Sequence, residues 1–399
     1  MRCMAFNSRS FTRMNMYIDI VGACNLSCPS CPMGNSENLN FKKAMQLDMF
    51  KQIVDKAKTE GVDTIYLYNW TEPLIHPKIG EFIEIINAAG MGSGISTNLN
   101  LAKNMEKALM AEPSYFRISL SGFYQETYEK GHVGGDIEVV KQNMIALQEI
   151  KQRLGLRTRV DVYYHRYLDN IEEESLMRAF SERLGFIFTT GYSVMMPLEK
   201  TLAIVERDPS VTATDIDTLK RLALPPYDDL VNVIQQFPKM ACTLKDDWLV
   251  IDCNGNTVLC CTIFNQTEYQ VGKYLDMPLE ELTRRKSTQK NCVDMCDRCA
   301  NKGLHIYSMH PNQGVLERHA VNRIIDFEHF ASQGLTVDSE RLGRAGEVSA
   351  ENFDEAQYLR LNDDVRIAIS QGSFSSGYQH YVLCGRLEGR LGAGVFSAV

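Results

Sequence analysis

Between residues 16 and 195 the chain alternates short apolar runs with amphipathic stretches, and this alternation restricts its possible folds more than any other feature. The runs 16–21, 64–68, 94–97, 116–120, 159–164 and 186–192 have the length and residue types of strands. Between them, 45–60, 78–89, 103–110, 136–154 and 172–184 read as helices. Phe50, Ile53, Val54 and Ala57 share one face of the first, and Ile79, Phe82, Ile83 and Ile86 one face of the second. Ile137, Val140, Met144 and Leu147 do the same in the longest, while Gly61 and Gly90 act as stop signals. Parallel neighbours need crossover connections, so serial β-α units imply a parallel sheet. Six units are too few to close an eight-fold barrel, which predicts a partial, TIM-like (β/α)6 barrel in an α/β chain. Chemistry in such folds sits at the C-terminal ends of the strands. Cys24, Glu72 and Asn98 all fall just after predicted strands.

The remainder is organised differently. Residues 196–240 are mixed and acidic and read as a helical bridge, and 241–305 are rich in cysteine. The expected division is a core over 12–235, a small cysteine-rich β-hairpin/helix extension over 236–305, a polar connector over 306–348, and a small helical C-terminal unit over 349–399. A length of 399 residues suits two or three domains. The formal charge of −8 offers no sequence-wide grip on nucleic acid or an anionic membrane. No apolar run approaches a bilayer span, and the first twenty residues lack the apolar region of a signal peptide. A cytoplasmic protein is the expectation.

Twelve cysteines then require an explanation. Three are Cys24, Cys28 and Cys31, and seven lie between Cys242 and Cys299; only Cys3 and Cys384 stand alone. A disulfide framework belongs to secreted, usually smaller chains, so two clustered sets point to metal or iron–sulfur ligation. CNLSCPSC has the spacing C-x3-C-x2-C. Three thiolates hold three corners of a four-iron cluster, whereas ferredoxin-type carriers use four cysteines per cluster. The missing ligand leaves one iron open, which suits catalysis better than structure. A structural zinc would want a fourth ligand, and no nearby histidine supplies it.

CNLSCPSC resembles the signature of the radical S-adenosylmethionine (SAM) superfamily, and the resemblance extends over about residues 16–195. It implies that the open iron chelates SAM and that reductive cleavage gives a 5′-deoxyadenosyl radical, which abstracts a substrate hydrogen. A reductant such as flavodoxin or ferredoxin is implied with it. NWTEPLIHP (69–77) is similar to the family's GGEP-type segment, matching at Glu72 and Pro73, with Trp70 and Thr71 in place of glycines. Ser96 and Asn98 stand where the family approaches the SAM ribose and carboxylate, Ser119 faces the same cavity, and Arg166 is a candidate partner for the carboxylate. Ser30 occupies a position where the family commonly has an aromatic that packs on adenine. The plainer readings stay open: Glu72 as a surface charge, Ser119 and Ser121 as satisfied barrel polars, Arg166 in an ordinary salt bridge.

The second set is Cys242, Cys253, Cys260, Cys261, Cys292, Cys296 and Cys299. The segment 248–261 reads as a hairpin with an Asn-Gly turn at Asn254–Gly255. C-x12-G-x4-C over Cys242, Gly255 and Cys260 resembles the opening of SPASM and twitch extensions, and the short closing set CVDMCDRC favours the twitch type with one auxiliary four-iron cluster. Cys242, Cys260, Cys296 and Cys299 are its expected ligands. Cys261 would point to the other side of a strand, Cys253 and Cys292 are open as ligands of a second partial cluster, and a zinc ribbon of the same four cysteines competes. His305, His310, His319 and His329 lie in the polar connector and read as solvated. Residues 353–390 resemble a short module appended to diverse bacterial proteins, with Tyr358, Leu359, Val365, Ile369 and Tyr381 as its mini-core.

Two chemistries follow from the resemblance: oxidation of a carbohydrate or aminocyclitol hydroxyl assisted by the auxiliary cluster, or peptide and protein maturation. About fifteen residues precede the first strand, which reads against the N-terminal peptide-binding domain of many maturases. A non-catalytic iron–sulfur or zinc-binding scaffold is the alternative of another class.

Overall fold

The computed structural model describes residues 14–36, 43–235 and 242–305, together with shorter pieces at 316, 319–321, 323–324, 335–337, 353–371, 374–381 and 396–398. Cys3, Cys384, His310 and His329 lie outside the described residues, as does most of the connector.

The six expected strands are β1 (Met14–Ile18), β2 (Val62–Tyr66), β3 (Gly92–Thr97), β4 (Tyr115–Leu120), β5 (Arg159–Arg166) and β6 (Ile187–Tyr192). They pair in sequence order, each parallel to the next. The crossovers carry α1 (Pro32–Asn35), α2 (Leu47–Thr59), α3 (Ile79–Ala88), α4 (Met105–Met110), α5 (Gln125–Gly131), α6 (Ile137–Leu154) and α7 (Glu174–Arg183). Boundaries shift by a residue or two because caps end these helices. Asp136 caps α6 by accepting from the Glu138 and Val139 amides, and Gly155 closes it in the left-handed region at φ 63°. Helix α5 follows β4 too closely to show an apolar period of its own, and the sequence reading missed it.

Strand alternation sorts the side chains. Met16, Ile18, Ile65, Ile95, Phe116, Ile118, Val160 and Val162 face outward and are buried under the predicted apolar faces of α2, α3 and α6. The opposite face is more polar and aromatic: Tyr17, Tyr66, Tyr115, Arg117, Ser119, Tyr163 and His165 are each only partly buried.

After α8 (Leu198–Val205), α9 (Ala213–Arg221) and α10 (Asp228–Gln235), the chain enters the second cysteine region through α11 (Thr243–Asp246). The hairpin there is β7 (Trp248–Ile251) and β8 (Asn256–Val258), extended by β9 (Gln270–Lys273). Its turn spans 252–255 rather than two residues, because the Asp252 carboxylate accepts from the Asn254 and Asn256 amides. β7 pairs parallel to β1, with Asn15 opposite Trp248 and Ile18 opposite Ile251. The sheet is therefore nine-stranded, β6-β5-β4-β3-β2-β1-β7-β8-β9. Leu249, Ile251, Leu259, Val271 and Tyr274 join the barrel's apolar core, so one core runs under both parts. α12 (Leu279–Thr288) and α13 (Lys290–Asn301) pack against this end.

In the C-terminal pieces Tyr358, Val365 and Tyr381 form their own cluster, with Leu359 and Ile369 packed against it. Leu335–Val337 and Phe396–Ala398 pair as an antiparallel two-stranded ribbon. Among the described residues no helix is long and apolar enough to cross a membrane.

Candidate functional site

Two cavities open near the C-terminal ends of the strands, and each gathers one cysteine set. The first encloses about 380 Å³ and is lined by Cys24, Cys28 and Cys31 together with Glu72, Ser96, Asn98, Ser119, His165 and Tyr167. The loop that carries the thiols is shaped by its own backbone. The Cys31 amide donates to the Cys28 carbonyl at 3.0 Å, and the Gly34 amide to the Cys31 carbonyl at 2.9 Å. Gly34 must be glycine, since a Cβ there would stand 2.3 Å from the Cys28 carbonyl oxygen. Asn35 fastens the loop from below by donating to the Pro29 and Met196 carbonyls.

The segment after β2 is held by two carboxylates. Asp19, just past β1 and 4% exposed, accepts from the backbone of Asn69, Trp70 and Thr71 and from the Thr71 hydroxyl. Glu72, 2% exposed, accepts the Leu74 amide at 3.0 Å and the Asn98 amide at 2.9 Å. Its own amide donates to the Ala23 carbonyl, beside Cys24. Burial pushes the Glu72 carboxyl up to about 7 against the pull of those amides. It is a buried clamp and not the surface charge it could have been. Pro73 starts the short turn that follows and is buried beneath it.

Asn98 completes the connection. Its side-chain amide reaches the Cys24 sulfur at 3.8 Å and the Asn25 side-chain oxygen Oδ1 at 2.9 Å. Ser119 bonds His165 Nε2 at 2.7 Å, and Ser121 bonds His132 Nδ1 at 2.7 Å, so Ser121 is a satisfied barrel polar. Burial drives both imidazoles down, His165 to about 4 and His132 to about 3, and both are neutral at ordinary pH. Ser30 bonds the Tyr167 hydroxyl at 3.0 Å, placing an aromatic ring from the end of β5 in the cavity wall. Arg166 is not among the lining residues. Glu174 holds its guanidinium through contacts of 2.7 and 3.2 Å, the salt bridge that was the alternative reading.

The second cavity, about 420 Å³, is lined by Cys242, Cys260, Cys296 and Cys299 with Leu244, Lys245, Thr262, Met295 and His305. Val194 and Met196 line both cavities and so form a common wall. Cys253, Cys261 and Cys292 do not line it; Cys260 and Cys261 follow the end of β8, so strand alternation does not separate them. His305 and His319 correct the expectation of solvated residues: they are 6% and 2% exposed, and His305 faces this cavity. Its signal was a histidine six residues past the C-x2-C pair. Asp19 gave none, being a lone acid after a strand.

Burial raises the thiols of both sets, Cys24 to about 11, Cys31 and Cys296 to about 12, with Cys28, Cys242, Cys260 and Cys299 shifted the same way. Thiolates here would need a compensating cationic centre, the chemistry a metal group supplies. Among the described residues no three His, Cys, Asp or Glu side chains converge on one metal-ion point. The thiols of each set line one cavity.

The family model described as the Radical SAM superfamily matches residues 18–177. The tungsten-containing aldehyde ferredoxin oxidoreductase cofactor-modifying protein of Pyrococcus furiosus is 28% identical over 142 residues, which span 34% of this chain and 39% of that protein. Among solved structures, Streptococcus suis SuiB bound to S-adenosylmethionine is 14% identical with a TM-score of 0.45, covering 67% of this chain and 65% of its own. Native anSMEcpe with bound AdoMet is 14% identical with a TM-score of 0.46, covering 78% and 98%. BtrN in complex with AdoMet and 2-DOIA is 13% identical with a TM-score of 0.40, covering 73% and 92%.

Proposed function

We propose that this chain, whose residues 18–177 belong to the Radical SAM superfamily, is a SAM-cleaving enzyme that abstracts hydrogen from a small hydroxylated substrate. Cys24, Cys28 and Cys31 would hold a four-iron cluster with one iron open to SAM. When bound, the cluster and SAM supply an electron and a 5′-deoxyadenosyl radical. The chain's own residues bind, orient and exclude water. The 69–72 segment, pinned by Asp19, presents backbone to the ligand; Asn98 steadies the Cys24 sulfur; Ser96, Ser119 and neutral His165 offer hydrogen bonds.

The observation that carries this reading is the three thiols and the Glu72–Asn98 clamp lining one cavity. A compact substrate, a carbohydrate or aminocyclitol, is favoured over a peptide by the single auxiliary cysteine set and the compact extension that carries it. Peptide maturation is the second reading. Cys242, Cys260, Cys296 and Cys299 would hold one auxiliary four-iron cluster that accepts the substrate electron. A cluster is favoured over a zinc ribbon of the same four cysteines by the resemblance of Cys242, Gly255 and Cys260 to the opening of a twitch extension.

The test is anaerobic reconstitution of the chain and of Cys24/Cys28/Cys31→Ala protein, with iron counting and assay of 5′-deoxyadenosine after dithionite and SAM. About eight irons falling to about four, with cleavage lost, is the expected result for two four-iron sites. Zinc in place of iron, or no cleavage by either protein, overturns it.

A further inference from the structure

The second cavity is lined by one histidine beside its four cysteines. His305 is more than nine-tenths buried, and neither ring nitrogen has a hydrogen-bond partner. It lines the same cavity as Cys299, which places it beside the cysteine set. A buried imidazole left unpaired on both nitrogens is costly, and a side chain this enclosed has only the cavity to find a partner in. Four thiolates already satisfy four irons. A fifth protein donor facing such a group therefore meets sulfur, whose lone pairs accept hydrogen bonds, and not iron.

We propose that His305 is a positioning and tuning residue of the auxiliary site, donating its ring N–H to a sulfur of the cluster held by Cys242, Cys260, Cys296 and Cys299. The inference rests on the auxiliary-cluster reading given above. A hydrogen bond to cluster sulfur stabilises the more negative, reduced state and raises the reduction potential. Because Val194 and Met196 line both cavities, the group tuned by His305 lies one wall away from the SAM cavity. The role of His305 is then to make this cluster a better acceptor of an electron arriving from that side.

The experiment uses full-length Cys24/Cys28/Cys31→Ala protein, so that only the auxiliary site can take up iron. His305→Phe and His305→Gln are made in this background and reconstituted, and iron content and the midpoint potential by EPR-monitored titration are measured. The expected result is about four irons in all three proteins, a more negative midpoint for His305→Phe, and a return toward the parent value for His305→Gln, whose amide can still donate. Nitrogen-15 labelling of histidine in the parent protein, read by pulsed EPR, should show weak coupling to one imidazole nitrogen, a readout independent of whether the variants fold. Iron loss in His305→Phe with strong nitrogen coupling in the parent would mean direct ligation and overturn the proposal. Unmoved midpoints with four irons present overturn the role of His305 alone. Zinc, or no metal, in the parent background overturns the auxiliary-cluster reading and this inference with it.

Discussion

The Asp19 carboxylate accepts the Thr71 hydroxyl at 2.7 Å and the Thr71 amide at 3.2 Å, and the same oxygen takes the Asn69 and Trp70 amides at 2.8 and 3.1 Å. One buried acid at the end of β1 thus fixes the loop that leaves β2. Glycine-rich loops reach a ligand by adopting conformations closed to other residues. Here Trp70 and Thr71 stand in that stretch, and the loop's shape comes from the carboxylate. The Trp70 indole N–H, donating to the Ile263 carbonyl at 3.0 Å, ties the same loop to the cysteine-rich end.

Asp19→Ala should therefore strand three backbone amides in a half-buried loop, at a cost of about 2–4 kcal/mol. SAM affinity should fall more than about tenfold, equivalent to about 1.4 kcal/mol, while Cys24, Cys28 and Cys31 still take up iron. Thr71→Val removes one hydrogen bond to that carboxylate and should cost about 1.5–3 kcal/mol. Equilibrium dialysis of SAM against reconstituted protein, with iron counts alongside, decides it. Unchanged affinity in Asp19→Ala would show that the loop holds its shape without the acid.

Glu72 makes stability depend on pH with a definite sign. Burial holds its folded-state pKa at about 7, above the ordinary carboxyl value of 4.5. The folded state thus favours the protonated form, and the metal-free protein should lose stability as pH rises from about 4.5 through 7. The 2.5-unit difference corresponds to about 3 kcal/mol. Glu72→Gln cannot ionise, so that slope should flatten, even though the amide can accept only one of the two N–H groups from Leu74 and Asn98. Urea unfolding at pH 5 and pH 7.5 measures both slopes; parallel slopes would exclude Glu72 as the source.

Much of this was legible before any coordinates. Local periodicity decides strands and helices, so the six β-α units and their buried faces followed from the spacing of residues such as Phe50, Ile53, Val54 and Ala57. The cysteines announced themselves by clustering. What stayed hidden depends on distant pairing. Nothing in the sequence says that Trp248 lies beside Asn15 or that β7 prolongs the barrel sheet. Single polar residues were hidden as well. Asp19 carries no pattern and His305 only its place after the C-x2-C pair, and their importance comes from what folding removes from water around them.

Tyr17 shows what that distant pairing contributes. Its ring stacks on Tyr66 of β2 and on Trp248 of β7, each with centroids 4.9 Å apart. It is the aromatic link between barrel and cysteine-rich hairpin on the inner face of the sheet. Tyr17→Ala should destabilise the protein by about 2–4 kcal/mol, from lost contact area and two lost stacks. Hydrogen exchange should show β7 and β8 losing protection more than β4 and β5. A uniform loss across the sheet would mean that the link is not specific to this seam.

Lys286 offers the sharpest test of charge in the second cysteine region. It lies one turn after Leu282 on α12, at a position the apolar face claims. It is in fact 4% exposed, and its ammonium donates to the Lys245 and Trp248 carbonyls at 2.9 Å each. Burial lowers its pKa, opposed first by Cys260 and then by Asp246 and Cys261. A buried cation is tolerated where negative charge faces it, and iron-bound thiolates supply more of that charge than protonated thiols do. Lys286→Met should therefore cost about 3–5 kcal/mol in iron-loaded protein, the range for breaking a buried charge pair, and distinctly less in metal-free protein. Chemical unfolding of both forms gives the two differences. Equal costs would mean that Lys286 serves only its two carbonyl partners, and that the cysteine set draws no support from its charge.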